Sequence, residues 1–209
     1  MTKRETLAAK PTLWWGTAGR TMPGESISGD RAVVRSLPDG GTLLAVLDGA
    51  GHGSAAAEAA EAGRAILERH AGLPLVRLFR SCHDGLRGTR GCAMSAVLLN
   101  GAGDRLSWLG IGNVEGIVWR PDPRALPRHD HLLLRGGLVG CQMPIPFEAS
   151  QPVREGDLVV LATDGVRGDF TPLLNNYDPP QRIAERIVER HATAQDDALV
   201  LVVRARGAA

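Results

Sequence analysis

Ala45-Val-Leu-Asp-Gly-Ala-Gly-His-Gly-Ser54 is the stretch whose reading decides the fold. An apolar run, Leu43 to Leu47, ends at Asp48, and three glycines and a histidine follow before an alanine-rich segment begins. The run predicts a buried strand that delivers a carboxylate to its rim, next to a glycine turn whose backbone carbonyls stay accessible. Downstream, Ser54 has the chemistry of a helix cap. Ala55 to His70 carries strong helix formers, with Ala55, Ala59 and Ala62 as the face for close packing.

Working outward, Pro38-Asp-Gly-Gly41 predicts the hairpin turn that feeds this strand from an earlier one, Ala32 to Ser36. Asp30 stands at the entrance of that earlier strand, after a turn-rich connection from Thr21. Leu13 to Ala18 reads as a first strand whose paired tryptophans, Trp14 and Trp15, pack one on each face. Residues 1 to 11 lack periodicity and read as an arm ahead of one domain over residues 12 to 209. Beyond the first helix, Leu75, Leu78, Phe79, Cys82 and Leu86 recur at helical spacing after Pro74. Short apolar runs follow at Ala93 to Leu99, Leu106 to Leu109, Val114 to Trp119 and Leu132 to Leu134, with a Pro-rich loop at 121 to 130 that holds His129 and His131. Leu158 to Ala162 is another apolar run that stops at Thr163-Asp164-Gly165. A helix with Ile183, Ala184, Ile187, Val188 and His191 on one stripe leads to Asp196-Asp197 and a last strand, Ala198 to Val203. The order predicts an α+β fold: a four-layer αββα sandwich of two mainly antiparallel sheets flanked by helices.

Composition narrows the function. The chain of 209 residues is 44% hydrophobic with a net charge of +1, enough to bury a core and without a basic block for nucleic acid. No apolar run approaches the length of a membrane span, and Lys3, Arg4 and Lys10 are not followed by the apolar segment of a secretion signal. Cytoplasmic location is the expectation. Cys82, Cys92 and Cys141 form no C-x-x-C pair and read as reduced, core-filling residues.

Asp30, Asp48, Asp164 and the pair Asp196-Asp197 all fall at strand termini. If the strands that end in Asp48 and Asp164 run antiparallel to those that begin at Asp30 and Asp196, the acids arrive at one edge. Converging carboxylates repel, whereas a hard divalent cation takes carboxylate, carbonyl and water oxygens together. Without an accompanying His/Cys cluster, Mg²⁺ or Mn²⁺ suits the donors better than Zn²⁺. Such ions favour hydrolysis of a phosphate ester.

Asp48-Gly-Ala-Gly-His-Gly53, Gly91-Cys-Ala-Met-Ser95, Gly110-Ile-Gly-Asn113, Ala162-Thr-Asp-Gly165 and Asp196-Asp197 before an apolar strand, in this order, resemble the metal-dependent PPM (type 2C) Ser/Thr protein phosphatases. More narrowly they resemble the bacterial SpoIIE/RsbU branch, and the chain looks like one of its stand-alone members, without a sensor domain. The resemblance implies two Mn²⁺ (or Mg²⁺) ions. Asp48 bridges them, the Gly49 carbonyl ligates one, and Asp164 and Asp196 hold the other. Asp30 acts through metal-bound water, and Asp197 either braces Asp196 or replaces it as ligand. Catalysis then falls to Asp48, Asp164 and His52. His52 stands two positions beyond the family's histidine, so it is either the acid that protonates the leaving group or a residue that shapes the loop. The family's phosphate-binding arginine is missing, with Glu25 at its place; Arg20 is the substitute or a solvated surface residue. Asn113 reads as a turn residue outside the site. The implied substrates are phosphoserine or phosphothreonine on STAS-domain regulators, stressosome components included. Two other readings keep the same residues: a non-catalytic binding module on the phosphatase fold, and a small-molecule phosphomonoesterase.

Overall fold

The computed structural model describes residues 13–205, so the arm expected at residues 1 to 11 lies outside the described residues. The chain runs β1 (Leu13–Arg20), β2 (Asp30–Ser36), β3 (Thr42–Gly49), α1 (Ser54–Arg69), α2 (Leu75–Gly85), β4 (Cys92–Leu99), β5 (Arg105–Ile111), β6 (Glu115–Trp119), β7 (His129–His131), β8 (Leu134–Arg135), β9 (Ala149–Pro152), β10 (Leu158–Ala162), α3 (Pro180–His191) and β11 (Ala198–Ala205). A 3-10 segment, Gly168–Leu173, precedes α3. Among the described residues no helix is long and apolar enough to cross a membrane.

Two sheets form. One has the order β1-β11-β10-β6-β7; the other has the order β2-β3-β4-β5-β8, with β9 also on β5. Pairing is antiparallel except for β5 with β8. The strands nearest the middle, β3, β4, β10 and β11, read as near-continuous apolar runs because both of their faces are covered. Leu44, Val46, Val97, Trp108, Val159, Leu161, Leu201 and Val203 fill the space between the sheets. Leu43, Ala45, Leu47, Leu78 and Phe79 join the second sheet to α1 and α2. Val160, Val202, Ile183, Ala184 and Ile187 join the first sheet to α3. This is the expected four-layer αββα sandwich.

Several local expectations are corrected. The buried face of α1 takes in Ala56, Ala57, Ala59, Ala60, Gly63 and Leu67; of the expected stripe Ala59 is fully buried while Ala55 and Ala62 are half-buried at its border, and Gly53, not Ser54, occupies the cap position, with no side-chain cap bond. His129 and His131 belong to β7, not to a loop, and Leu132 falls between two short strands. Trp14 and Trp15 are both about half exposed, 48% and 50%, since β1 is an edge strand covered on one flank only. Cys82 and Cys92 fill core, whereas Cys141 is exposed and donates to the Arg90 carbonyl.

The two Asp-Gly steps are also packing steps. A Cβ on Gly49 would lie 2.0 Å from the Ala56 carbonyl oxygen, and one on Gly165 would lie 1.8 Å from that of Asp197. Each glycine lets backbone pass directly behind a rim acid. Gly165→Ala is therefore expected to cost about 3 kcal/mol or more in urea unfolding. Gly72→Ala, with nothing within 4 Å of its Cβ, should stay within about 0.5 kcal/mol of the parent.

Candidate metal centre

Strand register carries the acids to one rim. Asp30 at the start of β2 faces Asp48 near the end of β3 across the antiparallel ladder. In the other sheet Ala162, the last residue of β10, pairs with Val200 of β11, which sets Asp164 beside Asp196 and Asp197. The two groups meet across the gap between the sheets. Thr163, buried at the end of β10, donates from Oγ1 to Asp30 Oδ2 at 2.9 Å and accepts from the Leu199 N–H at 2.9 Å. That hydroxyl ties the sheets together directly beneath the acids.

Exposure is graded. Asp30 and Asp197 are buried, Asp48 and Asp196 are half-buried, and Asp164 is exposed. Both oxygens of Asp197 are engaged: Oδ1 accepts from the Met22 N–H and Oδ2 from the Gly29 N–H, each at 2.7 Å. Asp197 thus clamps the connection that leads into Asp30. Asp196 Oδ1 accepts from the Asp197 N–H at 2.8 Å.

The electrostatics show what the arrangement costs. Burial, and then the charges of Asp30, Asp164, Asp196 and Asp197, push the Asp48 carboxyl up to about 8. Burial also raises Asp30 to about 7; the Thr163 hydroxyl opposes the rise, and the neighbouring acids add to it. Asp196 is raised too, chiefly by burial. A rim of oxygens that hold protons well above their usual range is a rim short of positive charge.

These donors fit a hard divalent ion. They are carboxylate and carbonyl oxygens, with no thiolate or imidazole among the acids. Among the described residues no three His, Cys, Asp or Glu side chains close on one point. Mg²⁺ keeps several waters and is held by one or two carboxylates, which suits oxygen donors spread along a rim.

Two neighbours complete the rim. His52 is exposed and places Nδ1 2.5 Å from Glu25 Oε1, while its charge is felt at Asp196. Glu25 thus holds the Gly-His-Gly turn from the side. Asn113, expected to be a plain turn residue, donates from Nδ2 to Asp164 Oδ2 at 2.5 Å, and so joins the site. Its own loop lies between β5 and β6 and is far from Asp164 in sequence, so only the topology reveals the contact. Arg20 is spent elsewhere, since its guanidinium donates to the Thr193 carbonyl.

Comparisons agree with this fold. The family model of stage II sporulation protein E (SpoIIE) matches residues 38–206. Phosphoserine phosphatase RsbX of Bacillus subtilis (strain 168) is 29% identical over 182 residues, 86% of this chain and 88% of that protein. A chain from a structural study of the bacterial stressosome, described as a modular system adapted to control secondary messenger signaling, superposes with a TM-score of 0.84 at 30% identity, covering 92% of this chain and 99% of that one. The crystal structure of RsbX in complex with magnesium superposes with a TM-score of 0.81 at 20% identity, covering 92% and 95%.

A pH dependence follows from the raised carboxyls. Without metal, the folded protein binds more protons than the unfolded chain between about pH 4, where free Asp titrates, and about pH 8. Stability therefore falls as pH rises through that window. His129, lowered chiefly by burial, works in the opposite direction but is one group against the raised Asp30, Asp48 and Asp196. Thermal unfolding in chelator should give a melting temperature that drops from pH 5 to pH 8, and Mg²⁺ or Mn²⁺ should raise it most at pH 8. A flat or rising profile in chelator would contradict the account.

Proposed function

The chain belongs to the SpoIIE family, and on that premise we propose that it is a Mn²⁺- or Mg²⁺-dependent phosphatase acting on phosphoserine or phosphothreonine in proteins. The observation that carries the reading is the convergence of Asp30 and Asp48 from one sheet with Asp164, Asp196 and Asp197 from the other, close enough that the latter three help raise Asp30 and Asp48. Residues 12 to 209 are taken as one phosphatase domain.

The assignments follow from which oxygens remain available. Asp48, on the face of β3 turned to the gap between the sheets, and the Gly49 carbonyl beside it would hold the ions from this side. Asp164 and Asp196 are assigned to the other side. Asp197, with both oxygens taken by backbone donors, is assigned as the brace and not as the ligand. Asp30, buried and held by Thr163, is assigned to orient water at the centre. Bound there, divalent ions lower the pKa of water toward neutrality and draw charge from phosphoryl oxygens.

The chain's own part is positioning. Asn113 fixes one oxygen of Asp164 and leaves the other for the centre. Glu25 engages Nδ1 of His52 and leaves Nε2 uncommitted, and His52 lies close enough to be felt at Asp196, as suits an acid that hands a proton to the departing serine or threonine oxygen. This supports the general-acid role for His52, and Glu25 at the same time explains the shape of the loop.

Phosphorylated STAS-domain regulators are the proposed substrates, by similarity to RsbX and to the chain from the stressosome study, and a cytoplasmic location is proposed with them. The test is phosphate release from a phosphorylated STAS protein in Mn²⁺. Asp48→Asn and Asp164→Asn are each expected to lower kcat/KM by about 10³-fold or more, as for loss of groups that stabilise transition-state charge. Activity that survives both substitutions, or ignores chelator, overturns the mechanism. Turnover of a generic aryl phosphate equal to that of the folded phosphoprotein would favour the small-molecule reading.

A further inference from the structure

The rim that receives a doubly charged phosphate is itself crowded with carboxylates, so a cation supplied by the protein has to stand somewhere along it. Several arginines lie at this end of the sheets, among them Arg167, which is held by Asp169 and the Arg190 carbonyl. Arg20, at the end of β1, donates to the Thr193 carbonyl. Arg31, beside Asp30, is held by Glu61 and by the carbonyls of Ser28 and Asp30. Arg135, at the end of β8, lies over the Phe147 ring with its guanidinium carbon 5.7 Å from the centroid. Arg90 differs from all of these. It is exposed, and among the described residues its guanidinium makes no hydrogen bond, ion pair or ring contact.

Its backbone is nevertheless firmly placed. Gly91, the next residue, accepts the Ala50 N–H at 3.0 Å, and Cys92 pairs with Gly49 in the β3–β4 ladder. The Arg90 carbonyl accepts from Cys141 Sγ. The side chain reaches over the metal-bearing turn, so that a Cβ on Gly51 would lie 2.8 Å from Arg90 Nη1. On the other flank of the same turn, Glu25 Oε2 would lie 2.9 Å from a Cβ on Gly53. The turn therefore runs between a carboxylate already engaged with His52 and a guanidinium with nothing to bind.

Resting on the phosphatase reading, we infer that Arg90 is the substrate-binding cation that takes the phosphoryl oxygens at this rim. A guanidinium offers two parallel N–H donors that match two phosphate oxygens, which a solvated point charge does not. An exposed arginine without a carboxylate partner, next to a rim that carries an excess of them, keeps its donors for an incoming anion. Gly51 is the position that makes room: its φ of 85° favours glycine, and any side chain there meets Arg90.

Orthophosphate is the probe, with Arg90→Ala, Arg90→Lys and, as a charge-matched control, Arg154→Ala. Arg154 lies beyond β9 toward the far end of the sheets, in a separate cavity with Arg120 and Arg124. Calorimetry on the Mn²⁺-loaded protein measures orthophosphate binding, and steady-state kinetics on a phosphoserine peptide separates KM from kcat. Arg90→Ala should weaken orthophosphate binding and raise KM by about 10- to 100-fold, the range for a lost charge-assisted pair. Mn²⁺ binding should be unchanged, Arg90→Lys should recover only part of the loss, and Arg154→Ala should match the parent. Unchanged orthophosphate binding in Arg90→Ala, or an equal loss in Arg154→Ala, overturns the inference while hydrolysis by the parent leaves the phosphatase reading intact. A parent that binds orthophosphate through Arg90 but hydrolyses nothing overturns the enzyme reading alone; a parent that does neither overturns both.

Discussion

The hydrogen bond from Thr163 Oγ1 to Asp30 Oδ2 is the interaction on which the arrangement of the site depends. It is buried, it crosses from one sheet to the other, and it lies beneath a rim where carboxylates from both sheets raise one another's proton affinity. The same hydroxyl accepts the Leu199 N–H, so the link is continuous with the β10–β11 ladder. Asp197 adds a second tie by holding the Met22 and Gly29 N–H groups, which fixes the connection into β2. Between them these bonds keep like charges close that would otherwise move apart. The fold thus stores an unfavourable electrostatic arrangement that cations relieve, and this is the physical sense in which the site is built for metal.

Much of this was legible from residues alone. An apolar run that stops at an acid, seen at Asp48 and again at Asp164, locates buried strands and the rim at once, because a strand covered on both faces admits polar side chains only at its ends. The sandwich followed from the order of helical and strand periodicities. The rest was hidden because it depends on pairs far apart in the chain. Asn113 meets Asp164, Glu25 meets His52 and Arg90 meets Gly51 only after two sheets have formed. Local spacing carries no sign of such contacts. The packed face of α1 was only partly read because the segment carries alanine nearly all round, so spacing does not single out one face, and Gly53, with its positive φ, takes the cap position that Ser54 was expected to hold. Cys141 was misjudged because a lone cysteine in a turn has no periodicity to reveal its exposure.

The turn from Gly49 to Gly53 has two halves with different jobs. Its first half is welded to the scaffold: Gly49 packs against the Ala56 carbonyl, and Ala50 is bonded to Gly91. Its second half is exposed and flanked by opposite charges, Glu25 on one side and Arg90 on the other. The residues proposed to hold metal lie at the rigid half, where a small displacement would cost affinity. The residues proposed for proton transfer and phosphate recognition, His52 and Arg90, lie at the half whose side chains reach solvent.

The measurement that tests the central claim most directly is manganese anomalous scattering from crystals grown with Mn²⁺. The account predicts two peaks at the rim, both in contact with Asp48, one beside the Gly49 carbonyl and the other reached by Asp164 and Asp196, with Asp197 still bonded to the Met22 and Gly29 backbone. An empty rim, or manganese held without Asp48, would contradict it.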